Sequence, residues 1–138
     1  LKNKENASAD FGRILELDPE YPLGFVGRAQ VLIEEGNYVE AGKAVDEALN
    51  RDQNCAEAYY AKGLIFGYQK KVDDSINSFK KCLEIVPTHA YANYYLGLAY
   101  NQKGRKDLTI VHLEKFLAIA PQAPEAGQVR NLLNLLRR

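Results

Sequence analysis

The side chains able to do chemistry in this 138-residue sequence are two histidines, two cysteines, several paired charges and nine tyrosines. His89 and His112 lie 23 residues apart, and His112 reads as an ordinary surface or boundary residue rather than an acid, base or ligand. Cys55 and Cys82 are too few to staple a small domain and have no Cys or His partner at zinc-ligand spacing. They are expected to be one buried thiol and one loop thiol. The carboxylate pairs Glu34-Glu35, Asp46-Glu47 and Asp73-Asp74 are adjacent in sequence, so on a helix they point about 100° apart and cannot converge on one substrate. The glycines are scattered, with no phosphate-cradling loop and no nucleophile elbow. No catalytic, cofactor-binding or metal-binding residue is assigned, and the chain is expected not to be an enzyme. What remains is the tyrosines, whose flat apolar area with a polar tip suits partner binding.

Hydrophobic residues make up 46% and charged residues 26%, with 18 basic against 18 acidic side chains, the composition of one soluble globular domain. Residues 1–69 hold 7 basic and 12 acidic side chains, whereas residues 70–138 hold 11 and 6. The chain is therefore an electrostatic dipole, which bears on assembly; a nucleic-acid partner would need a continuous basic face and a positive balance. No stretch reaches the roughly 18 consecutive apolar residues of a membrane span, so no membrane insertion is expected. The chain starts at Leu1 and contains no Met, and it reads as an excised or processed piece of something longer. It is expected to be soluble, in the cytoplasm or the periplasm.

The elements that must position the tyrosines are set by an internal repeat. At a spacing of 34 residues, Pro19, Gln53, Pro87 and Pro121 align, as do Leu15, Leu49, Leu83 and Leu117. Gly36, Lys70 and Gly104 form another series, and Ala29, Gly63 and Gly97 a further one. Within each period apolar residues recur at helical spacing on both sides of a break at Gly36-Asn37, Lys70-Lys71 or Gly104-Arg105. Acidic residues such as Asp73, Asp74 and Asp107 follow the break, where they suit the positive end of a helix dipole. Each period is thus a hairpin of two short amphipathic helices.

These columns resemble the tetratricopeptide repeat, a 34-residue helical hairpin. With column 1 at Pro22, Ala56 and Ala90, the full units are 22–55, 56–89 and 90–123 of a single domain. Residues 1–21 match only the second helix of a unit, through Ala7, Phe11, Ile14 and Pro19, and residues 124–138 look like a solvating cap helix. The fold implied is all-α, a right-handed α-solenoid of hairpins with a C-terminal cap helix. One departure is a swap of volumes. Columns 4 and 27 hold Phe25 with Ala48 and Tyr59 with Cys82, but Asn93 with Phe116, so the Phe116 ring is expected to fill space that Asn93 leaves.

In this family the concave groove is lined mainly by columns 2, 5, 6, 9, 12 and 13 of each first helix. The resemblance therefore implies a peptide-binding groove of Val26, Gln30, Tyr60, Leu64, Tyr68, Tyr91, Tyr94, Tyr95, Leu98 and Asn101, aromatic and weakly charged. The family's carboxylate clamp needs cations, but the matching columns carry Val26, Gln30, Ala61, Tyr91 and Tyr95, so capture of a terminal carboxylate is not available. The function expected is a non-enzymatic interaction scaffold for a protein or peptide partner. Two other readings stay open: a docking or regulatory domain cut from a larger enzyme, and a module that self-assembles through the N-terminal half repeat.

Overall fold

The structure is a computed structural model that describes residues 22–138. The N-terminal half repeat, with Ala7, Phe11, Ile14 and Pro19, and any assembly through it lie outside the described residues. Among those described there are seven helices and no strand: α1 (Pro22–Glu34), α2 (Tyr38–Arg51), α3 (Ala56–Tyr68), α4 (Val72–Ile85), α5 (Ala90–Gln102), α6 (Lys106–Ile119) and α7 (Ala126–Leu136). Helices pair as α1 with α2, α3 with α4 and α5 with α6, and each pair stacks on the next to form an α-solenoid that α7 closes.

The tight turns inside the hairpins follow from backbone chemistry. Gly36, Lys70 and Gly104 adopt φ of 82°, 63° and 74°, the left-handed conformation that ends a helix. In each case the next amide reaches back over the turn, Asn37 N–H to Leu32 C=O at 2.8 Å, Lys71 N–H to Phe66 C=O at 2.8 Å and Arg105 N–H to Tyr100 C=O at 2.9 Å. These bonds satisfy carbonyls the ending helix would otherwise leave bare. Glycine is required for a second reason where paired helices touch: a Cβ at Gly63 would sit 2.6 Å from the Phe79 ring, and one at Gly97 would sit 2.8 Å from Leu113 Cδ2. Ser75 fastens the first of these contacts by donating its hydroxyl to Gly63 C=O at 2.8 Å.

The core runs along the stack in three connected patches. Val26, Ala29, Val45, Ala48, Ala58 and Ala61 fill the first, and Phe79, Cys82, Ala92 and Leu96 the second. The third joins Leu113 and Phe116 to Val129 and Leu133 of α7, which Arg137 also ties to Glu114 of α6. Both thiols are buried, which corrects the expectation of one loop thiol: Cys55 immediately precedes α3 and is drawn into the first patch. Burial pushes the Cys82 thiol up to about 12 and raises Cys55 as well, so neither supplies a thiolate. No helix among the described residues is long and apolar enough to cross a membrane.

Candidate functional site

The rings of α3, α4 and α5 form a continuous cluster. Tyr60 meets Tyr95 at 6.2 Å and Phe79 at 5.9 Å between centroids, and Tyr95 stacks on Phe79 at 5.9 Å and 13°. Tyr94 stands edge-on to Tyr95 at 4.9 Å and to Tyr91 at 6.2 Å. Ring pairs at these separations favour tilted or offset contact and hold one another in place. Tyr68, at the end of α3, is 57% exposed and stacks on Tyr38 at 5.4 Å and 10°. Burial raises the pKa of Tyr60 and of Tyr95, so their hydroxyls remain neutral donors.

Between α3, α4 and α5 the cluster opens into a cavity of about 260 Å³, with Leu64, Tyr68, Tyr95 and Leu98 among its walls. Among the described residues no charged side chain lines it. Helix α4 contributes Val72, Ser75 and Phe79, which sequence reasoning assigned to no site. The signal in the sequence was the drop in side-chain volume at Val72, where the preceding repeat has Tyr38; Ser75 and Phe79 are no smaller than the Ala41 and Val45 they follow.

The other residues named from sequence distribute unevenly. Tyr60, Tyr91, Tyr94 and Gln30 are half-buried, and Asn101 is exposed. Tyr91 is not free surface throughout, because its hydroxyl donates to the Glu125 carboxylate at 3.1 Å and its ring lies 5.7 Å from that of Phe116. Val26 is not groove surface at all. It is 3% exposed and packs in the first core patch, because α1 meets α3 directly where α3 offers Ala58 and Ala61. The same column carries tyrosine in α3 and α5, too large to be engulfed there.

Both histidines serve the framework of this face. His89 accepts the Ala92 N–H at Nδ1 (3.1 Å) and so caps α5, while its Nε2 meets Glu57 of α3 at 2.8 Å and its ring packs on Tyr60 at 4.6 Å. His112 Nδ1 lies 3.0 Å from Asn93 Oδ1, and its ring stacks on Tyr100 at 5.7 Å. Among the described residues no three His, Cys, Asp or Glu side chains converge as metal ligands would.

Tetratricopeptide repeat family models match residues 3–65, 56–89 and 91–123. The chain belongs to the tetratricopeptide repeat family. Among relatives of this repeat protein, the peroxisomal targeting signal receptor of Candida albicans is 28% identical over 102 residues, covering 72% of this chain and 17% of the receptor. Anaphase-promoting complex subunit 3 of Schizosaccharomyces pombe is 26% identical over 107 residues, 78% of this chain and 16% of that subunit. The tetratricopeptide chain thus spans under a fifth of the length of these relatives. The crystal structure of MamA aligns with a TM-score of 0.74 at 23% identity, covering 98% of this chain and 77% of that one, and shows the same fold.

Proposed function

We propose that this tetratricopeptide module is an interaction scaffold that binds a peptide or helix of a partner protein along its concave face, at the tyrosine cluster of α3 and α5. The observation that carries the reading is the exposed Tyr68 beside an uncharged cavity walled by Leu64, Tyr95 and Leu98. Exposed aromatic surface of this kind costs solubility unless a partner covers it, and tyrosine loses little rotamer entropy on contact. Ser75 and the Tyr38 stack hold the wall in place before any partner arrives, so little ordering remains to oppose binding. With no cation in the lining, affinity is expected to depend weakly on salt.

Placing a photo-crosslinking benzoylphenylalanine at Tyr68 tests this directly. In extract of the parent organism it is expected to yield a discrete protein adduct, whereas the same group at Val111, 44% exposed on α6, yields none. Equal labelling from the two positions would move the binding surface off the concave face.

A further inference from the structure

The two junctions between consecutive repeats use the same columns and are filled differently. Ile33, Tyr38, Ile65 and Tyr68 at the first junction correspond, 34 residues on, to Gly67, Val72, Ala99 and Gln102 at the second. All four changes remove volume. Two others add it, Val45 to Phe79 and Ala61 to Tyr95, and those two rings stack on each other and do not close the gap.

At the first junction the space is occupied from within. Ile33 is 7% exposed and shares one core patch with Val45, Ala61 and Ile65, against which Tyr38 packs while stacking on Tyr68. Helix α1 accordingly packs directly on α3. At the second junction the corresponding place is the 260 Å³ cavity, open to the groove, with Gly67 and Val72 in its wall. Apolar walls without atoms against them forgo dispersion contacts and stay wet, both of which a fitting apolar group reverses.

We infer that this cavity receives one bulky uncharged side chain, aliphatic or aromatic, from a partner peptide, which completes the second junction as Ile33 and the Tyr38–Tyr68 pair complete the first. The inference rests on the concave face being the binding surface and names the anchor that face accepts. A charged anchor is disfavoured because nothing in the lining could pair with it. Beside the cavity, Lys103 Nζ is matched to Asp73 Oδ1 at 3.1 Å, and the Ser75 hydroxyl is committed to Gly63 C=O. At the mouth the Tyr68 hydroxyl and the Gln102 amide remain to meet the peptide backbone.

The test is Gly67→Ile, which supplies from within the side chain the first junction already has. A Cβ at Gly67 meets only Ser75 Oγ, at 3.6 Å, so the variant is expected to fold and to melt no lower than the wild type. The probe is a phage-displayed dodecapeptide library selected on the wild-type chain, with the winners synthesised as N-acetylated, C-amidated peptides. They are expected to share one bulky apolar position, to lose at least tenfold in affinity when that position becomes Ala, and to lose at least tenfold on Gly67→Ile. Winners without such a position, or undiminished binding to Gly67→Ile, overturn the anchor pocket. Winners that bind Gly67→Ile fully yet block the Tyr68 crosslink overturn the pocket alone; winners that leave that crosslink untouched, or no winners at all, overturn the groove reading with it.

Discussion

The second and third hairpins build the same joint with opposite materials. In the second, the large residue sits on the first helix, Tyr59, and the small one on its partner, Cys82. In the third, Asn93 is on the first helix and Phe116 on the second. Asn93 is 1% exposed and Phe116 fully buried, its ring 5.0 Å from Tyr94 and 5.7 Å from Tyr91. One backbone requirement is common to both. Tyr59 donates its hydroxyl to Gln53 C=O at 3.1 Å, and Asn93 donates its amide to Pro87 C=O at 3.3 Å, each six residues upstream. What recurs is a filled space and a satisfied carbonyl rather than a residue type, because packing and hydrogen-bond satisfaction are what burial demands. The exchange also adds a link the second hairpin lacks. Asn93 uses its amide nitrogen on Pro87 and His89 carbonyls, so its oxygen accepts from His112, which places the neutral imidazole's proton on Nδ1.

The largest test of this contrast is truncation of the ring that changed helices. Phe116→Ala is expected to cost about 3 to 5 kcal/mol in urea denaturation, whereas Cys82→Ala at the equivalent place costs about 1. Equal losses would mean that the third hairpin does not depend on the relocated ring.

The burial of His112 in the third hairpin is tested by acid. Burial, with Lys115 and Lys80 adding to it, lowers the pKa of His112 from 6.5 to about 4. The folded state therefore refuses a proton that the unfolded chain accepts. The stability this residue contributes is fully present above about pH 6.5 and is lost as pH falls toward 4, to a total of about 3 kcal/mol at most. Substituting His112→Gln and subtracting the two stability–pH profiles isolates this loss from carboxylate titration. A difference that is flat from pH 7 to 4 would show that burial does not hold His112 neutral in the fold.

The smallest effect separates the hairpins at their turns. Lys70 holds φ 63° where the neighbouring hairpins have Gly36 and Gly104, and a side chain there crowds the following carbonyl. Lys70→Gly is expected to raise stability by up to about 1 kcal/mol, read as a higher melting temperature. A lower one would mean that the lysine side chain supports the turn in a way its backbone does not show.

The helices and their turns were legible in the sequence because they rest on local rules. The 3.6-residue period, the left-handed position that ends each first helix and the glycines where paired helices touch are carried by residues within one 34-residue unit. The relocated Phe116 ring was legible for the same reason, since its partner column lies in the same hairpin. The groove was legible only as a direction. The column rule named Val26 and Tyr68 alike as groove-lining, yet Val26 is sealed by Ala58 and Ala61 of the next repeat while Tyr68 stands in solvent. One of the two thiols was expected in a loop and both are buried, and Tyr91 is bonded to Glu125 in the segment leading to α7. Which way a side chain points is decided by the helix that carries it, and that much the sequence determined by itself. Whether it ends in solvent, in a core or at the wall of a cavity was decided only by the tertiary structure, because it depends on the volume that the neighbouring repeat brings against it.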